Sequence, residues 1–518
     1  MTKQFSNYSD LLTFTRASKG HALRPVSYGT EEVTNGTYDT DSDWTLQRVS
    51  IAGGVADFSD NSLGPARVIQ DDVYTVGKIY LVTFDVNESG TLRVYDGAGY
   101  DGDISFSSGT VSKIIYAEGT QFIIRANVTN DYTGTIDNVS VKEVLFDQPD
   151  GTLTLFEHPN NVPRVEWDAD RNRLGLLVEE SRTNKVPYSN FSAGFGETRT
   201  TLTTDQAVSP DGTENAAEIT ETTDTGAHYI STGSLTVTAS TSHTLSVFVK
   251  QGSGTRSAIL RTNNEGADDY VVFDFATESI TETGNGASNA TSQSIGNDWY
   301  RISFTYTQSA DTSSGIIVGL SDSTTPSDDL PSYTGDGSSS IFVYGLQFEQ
   351  GSFPTSYIKN EGTSGGVTRS ADVASIPVAD FGYNQSAGTV LFEFEKNNTG
   401  GAYLLDFEGS VSSQIQVVND GDLRVRATRS PDVTLTLESP YVASVSTRKI
   451  AYTLKSGDHS AVLDGGSAQT SASTNATSEI STLYIGSDGG ADLINGHIKS
   501  IKYYPRRLSN AQLVELTS

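Results

Sequence analysis

The fold class predicted for this chain is all-β: tandem β-sandwiches joined by a small β connector, with one short helix at the carboxyl end. Three observations predict it. Apolar residues fall in short alternating runs, "KIYLVTFDV" (78 to 86), "HTLSVFVKQ" (243 to 251), "YRISFTYTQ" (300 to 308) and "GTVLFEFEK" (388 to 396). Clusters of Gly, Asn, Asp and Ser separate them, and a period of two with turn signals is the pattern of strands. Helical periodicity is confined to "LSNAQLVELTS" (508 to 518), where Ser509 is placed as N-cap and Leu513 and Leu516 follow it. Two segments also read as variations on one module, and internal repetition decides architecture before local detail does.

In chain order, residues 1–29 form an amino-terminal segment expected to pair with 145–186 as the connector. Between them, 30–144 is an inserted module that opens with "NGTYDTDSDWTLQRVSIAGGVADF" (35 to 58) and closes with "YTGTIDNVSVKEV" (132 to 144). Insertion is tolerated where the two ends of a domain lie close together. The second module, 187–360, carries "GNDWYRISFTYT" (296 to 307) and closes with "SSSIFVYGLQFEQGSFPTSYI" (338 to 358). Residues 361–518 are a linker and a third sandwich, ending "STLYIGSDGGADLINGHIKSIKYYPRRLSNAQLVEL".

Composition narrows the function classes. At 518 residues several domains are expected, at about 100 to 200 residues each. A hydrophobic fraction of 36%, with 24 Tyr and 21 Phe, supplies several thin cores and argues against wholesale disorder. The 34 Lys and Arg against 64 Asp and Glu leave a net charge of -30, so nucleic acid is not an expected partner. No stretch reaches the roughly 20 apolar residues of a membrane span, and "MTKQFSNYSDLLTF" lacks the apolar core of a secretion signal. Without Cys, disulfides, thiolate metal sites and cysteine nucleophiles are excluded; the six His form neither HxH nor HExxH.

The opening "NGTYDTDSDW" and the closing "IDNVSVKEV" resemble carbohydrate-binding-module-like jelly rolls. "LLTFTRASKGHALRP" (11 to 25), "PRVEWDADRNRLGLLVEESRTN" (163 to 184) and "FEQGSFPTSYIKNEGTSGGVTRSADVASI" (348 to 376), in that order, resemble pieces of bacteriophage virion proteins of the tail-fibre or tail-spike kind. The third sandwich resembles concanavalin A-like lectin and laminin-G-like domains, through a G-x-I-x-x-I-x-x-Y strand followed by R-x-L-S-x-x-x-L. These resemblances imply a non-enzymatic virion subunit, a tail fibre or appendage that binds host surface polysaccharide. They also imply other virion proteins as partners, a homotrimer, and assembly in the bacterial cytoplasm. A capsid-bound head fibre or decoration protein and a polysaccharide depolymerase are the alternatives.

Each candidate for chemistry meets a plainer reading. Glu179 and Glu180 suggest a glycosidase pair, but adjacent residues on a strand face opposite ways. They are expected instead to join Arg173 and Arg182 in fixing the connector. Glu393 and Glu395 share a strand face, yet the apolar Val390, Phe392 and Phe394 opposite make this the pattern of a half-buried strand. No catalytic residue is therefore named. The Asp-rich turns "YDGAGYDGD" (95 to 103), "TGDGSS" (334 to 339) and "NDGDLR" (419 to 424) could offer calcium ligands, but none has EF-hand spacing and hairpins use Asp and Gly for their own reasons. No cofactor is expected. Sugar recognition calls for planar apolar surfaces beside hydrogen-bonding groups. Tyr95 and Tyr100, flanking a Gly and Asp loop, are the leading candidates; Trp44 fits either core or binding surface, and Trp299 belongs to the core.

Overall fold

The computed structural model describes residues 12–518 except 60–63, 101, 127–131, 264–268, 285, 308–311, 327, 397, 399, 410–413, 428–432, 443 and 475–479. The fold is all-β. Among the described residues the helices are Asn510–Thr517 and the 3-10 turn Val378–Phe381. The chain divides into two compact units: residues 25–152 form one, and residues up to 24 together with 153–518 form the other.

In the 25–152 unit, a five-stranded antiparallel sheet runs in the order Thr45–Gln47, Arg67–Gln70, Phe122–Ala126, Gly90–Val94, Ile104–Phe106. Facing it, Gly109–Tyr116, Ile79–Val86 and Thr135–Phe146 lie side by side, with Ser50–Ala52 and Val55–Asp57 at the far end of Thr135–Phe146. Alternation explains the packing: Tyr80, Val82, Phe84 and Val86 point inward from one strand. They meet Val68, Phe122, Ile124, Leu92 and Val94 from the other sheet. Burying one such side chain is worth about 1.5 to 3 kcal/mol, so the strand's four inward residues dominate its stabilisation.

The larger unit holds two sandwiches. In the first, a seven-stranded and a six-stranded sheet, built from strands between Phe195 and Gln350, enclose Ile219, Val247, Leu260, Phe304, Val318 and Val343. Trp299 is 1% exposed and donates from Nε1 to the Val208 carbonyl at 3.1 Å, packed with Leu153, Leu155, Phe248, Tyr344 and Tyr357.

The second is built from two seven-stranded sheets. One orders Thr13–Thr15, Val373–Pro377, Ile480–Ile485, Ala402–Gly409, Gln414–Asn419, Leu423–Ala427, Val433–Glu438. The other orders Val165–Trp167, Arg173–Val178, Gly496–Tyr504, Thr389–Lys396, Ser444–Thr453, His459–Leu463, Gln469–Ser471. The amino-terminal segment makes two sets of pairings: Gly20–Glu31 lies beside Thr152–His158 and sets Ser27 opposite Leu145 and Val26 opposite Phe146, while Thr13–Thr15 pairs with Val373–Pro377, Thr15 opposite Val373. "RLGLLV" forms Arg173–Val178 and pairs with Gly496–Tyr504, Leu176 opposite Ile498 and Val178 opposite Gly496. An open sheet edge leaves a row of unpaired N–H and C=O groups, and these pieces supply the missing partners at an edge of each sheet. Helix Asn510–Thr517 closes the chain under a capping box from Ser509 and Gln512, burying Leu513 against Leu391, Ala451 and Val462.

Candidate functional site

The five-stranded sheet of the 25–152 unit has one face in the core and one outside it. Because successive side chains alternate, Leu46, Val68, Ile124, Leu92 and Ile104 turn inward, and their neighbours turn outward. Register then assembles the outer face. Gln47 lies opposite Arg67, Arg67 opposite Arg125, and Arg125 opposite Arg93. Alongside this polar row, Ile69 lies opposite Ile123, and the Tyr95 amide donates to the Ile123 carbonyl.

The strand Gly90–Val94 leads into a hairpin turn closed by a bridge between Tyr95 and Tyr100. Their ring centroids lie 5.3 Å apart at 47°. Tyr100 is 41% exposed, and the Arg93 guanidinium sits 4.3 Å from its ring centre while pairing with Asp103 at 2.5 Å. Arg125 donates from Nη1 to the Tyr95 hydroxyl at 2.8 Å, and its Nε has no hydrogen-bond partner. The Asp96 carboxylate accepts the Ala98 and Gly99 amides at 2.9 and 2.6 Å, holding the turn. The result is an exposed aromatic ring, a second ring braced by a guanidinium, and fixed N–H donors beside them. That is the chemistry a sugar ring needs, a flat apolar face flanked by donors to hydroxyl oxygens.

Trp44 is not part of this surface. It is 7% exposed, its ring lies 5.1 Å from Tyr38 and 6.2 Å from Phe122, and Nε1 donates to the Asn35 carbonyl at 2.9 Å. Both faces of the indole are taken up by the core, which corrects the expectation that it could line a binding surface. Tyr95 and Tyr100, in contrast, come together. The sequence reading missed Gln47, Arg67, Arg93 and Arg125. Each arginine occupies the polar position of an alternating strand, a legible signal, but their juxtaposition depends on pairing among strands up to about 80 residues apart.

The four connector residues take separate places in the larger unit. Glu179 is 5% exposed; its carboxylate accepts the Ser356 amide and hydroxyl at 2.8 and 2.6 Å and faces Arg164 at 3.0 Å and Arg369 at 3.5 Å. Burial alone would raise this carboxyl, but Arg369, Arg164 and the Ser356 hydrogen bonds outweigh it and hold it well below the ordinary carboxylate range. Asp372 extends the cluster to Arg164 at 2.5 Å and Arg16 at 3.3 Å. Burial, helped by the nearby Arg164, lowers the Arg16 guanidinium to about 10. Glu180 turns the other way, accepting Arg182 Nε at 2.6 Å and Asn495 Nδ2 at 3.1 Å. Arg173 is half-buried on its strand opposite Trp167. The two glutamates thus serve different guanidinium partners on opposite faces.

Most of the other acids singled out in the sequence are engaged within the protein. Glu395 accepts the Thr447 hydroxyl at 2.7 Å from a strand whose Phe392 and Phe394 are in the core, and Glu393 is half-buried beside it. Asp336 accepts the amides of Ser338 and Ser339 at 2.7 Å. Asp420 and Asp422 pair with Arg424 and Arg426. Asp101 of the first turn lies outside the described residues. Among the described residues, no group of three or more His, Asp or Glu is arranged to hold a metal ion.

No protein-family model matches the chain, and neither does a curated protein. Among solved structures it is similar to the tandem CBM22-1–CBM22-2 domain from Paenibacillus barcinonensis Xyn10C, at 10% identity and a TM-score of 0.23 over 62% of this chain and 98% of that one. It is similar to a native heptameric SAP-like pentraxin from Limulus polyphemus at 14% identity and a TM-score of 0.21, over 26% of this chain and 73% of the other. Trypanosoma rangeli sialidase matches at 13% identity and a TM-score of 0.22 over 96% of this chain and 94% of that chain.

Proposed function

We propose that this chain is a non-enzymatic glycan-binding protein, a structural subunit of a bacteriophage particle, whose 25–152 unit attaches to host surface polysaccharide. The observation that carries the binding reading is the outer face of the five-stranded sheet, where the exposed Tyr100 ring stands beside Tyr95 with Arg93 and Arg125 fixed around them. Among the described residues of the unit Tyr28, Tyr100 and Tyr116 are exposed, at 48%, 41% and 38%, and Tyr100 stands beside a second ring with guanidinium groups fixed around the pair. The absence of catalysis is supported by Glu179 and Glu180, whose carboxylates are committed to guanidinium partners on opposite faces. The virion assignment rests on the ordered sequence pieces at 11 to 25, 163 to 184 and 348 to 376.

Incubating the purified chain with polysaccharides from bacterial surfaces tests both parts. Retention of intact polymer is the expected result, and Tyr100→Ala should weaken it roughly tenfold, the scale of one lost ring contact. Shortened polymer chains would replace this reading with that of a depolymerase; unaltered binding by the variant would move the site elsewhere.

A further inference from the structure

We infer that the same sheet face selects glycans bearing sparse negative charges, an inference that rests on the glycan-binding reading. Across four adjacent strands, Gln47, Arg67, Arg125 and Arg93 stand in register, and Asp103 pairs with Arg93. Three guanidinium groups and one carboxylate leave this row with two unneutralised positive charges. Arg67 donates from Nε to the neutral Gln47 at 2.5 Å and Arg125 to the neutral Tyr95 hydroxyl at 2.8 Å. No carboxylate among the described residues pairs with Arg67 or Arg125.

Like charges directly opposite each other on neighbouring strands destabilise a sheet. This chain has 64 acidic residues against 34 basic ones, so cations are scarce and potential partners are plentiful. A stack of three arginines with one acid among them therefore opposes stability and matches an anion supplied from outside. Two other carboxylates of the unit are otherwise engaged, Asp71 with the Gln121 amide at 2.6 Å and Asp96 with its own turn. Strand spacing of about 4.8 Å spreads the three guanidinium groups over about 10 Å, the scale of a disaccharide. A carboxylate accepting two parallel N–H bonds from Arg125 or Arg67 would leave the adjoining sugar ring over Tyr95 and Tyr100.

The net charge of -30 limits the density of that ligand's charge. It repels a polyanion in proportion to the ligand's own charge, whereas the arginine row offers a fixed attraction, and salt screens both over about 8 Å. A polysaccharide with one carboxylate per disaccharide satisfies both conditions; a nucleic acid, charged at every residue, does not.

The test measures affinity of the full chain for hyaluronan, for hyaluronan with its carboxyls reduced to alcohols, for dextran and for single-stranded DNA. The expected result is hyaluronan bound roughly tenfold more tightly than the reduced polymer, with DNA weakest. Arg125→Gln and Arg67→Gln should each erase most of that preference, lowering affinity for hyaluronan far more than for the reduced polymer; Tyr100→Ala should weaken both polymers alike. Arg125→Lys, which keeps the charge and loses the fork, should retain part of the preference and guards against misfolding of Arg125→Gln. Equal affinity for the two forms of hyaluronan would overturn the charge selectivity and leave glycan binding standing. Tighter binding of DNA would overturn it in favour of a nucleic-acid surface, and binding of no polymer would remove the glycan reading as well.

Discussion

Asp406 shows how a single buried acid can oppose stability. It is 1% exposed, and burial, with Glu408 adding, raises its carboxyl to about 7. A carboxyl raised in the folded state binds its proton there at pH values where the unfolded chain has already lost it, so stability falls as pH rises from about 4 to about 7. Asp406→Asn should therefore raise the unfolding free energy at pH 8 by up to about 4 kcal/mol and change little at pH 4, checked by thermal melts at both values. Glu179 has the opposite sign. Its carboxyl is held low in the fold, so its contribution is present above the ordinary carboxylate pKa and is lost as pH falls through the folded one. Glu179→Gln leaves Arg164, Arg369 and Arg16 to share Asp372 and should cost about 3 to 5 kcal/mol near neutral pH in denaturant unfolding. Glu180, half-buried, should cost less when changed to Gln.

At the scale of elements, the edge strand Thr13–Thr15 and the outer strand pair Val165–Trp167 and Arg173–Val178 complete the sheets of the last sandwich. A chain starting at residue 187 lacks these strands, so it should expose two open edges and elute from size-exclusion chromatography as larger assemblies than the full chain. The helix Asn510–Thr517 is held by its cap, and Ser509→Ala should lower stability by about 1 kcal/mol. Strand positions were legible in the sequence because alternation is local: "KIYLVTFDV" names its own inward residues Tyr80, Val82, Phe84 and Val86. The terminal helix was legible through Ser509 and Leu513. Partners were not, because "RLGLLV" has the pattern of a strand whichever sheet it joins, and only the tertiary fold sets Leu176 beside Ile498. The site followed the same division. The turn that exposes Tyr100 could be read from its Gly and Asp residues, whereas the arginine row needs the register of four strands, and Trp44 was open because aromatic residues serve core and surface alike.

For the whole molecule, an acidic, Cys-free set of sandwiches suits display on a particle, since a large net charge keeps copies apart in solution. If the virion assignment holds, electron microscopy of particles labelled with an antibody to this chain should place it on the tail, and density on the capsid would make it a head fibre or decoration protein. The central claim is that one sheet face of the 25–152 unit binds glycan through Tyr95, Tyr100 and the arginines beside them. Titration calorimetry of the full chain and of its Tyr100→Ala and Arg125→Gln variants against hyaluronan and carboxyl-reduced hyaluronan tests it most directly. The account predicts that the native chain prefers the charged polymer, that Arg125→Gln loses most of this preference, and that Tyr100→Ala weakens both. Identical affinities for the native chain and both variants, all folded, would contradict it.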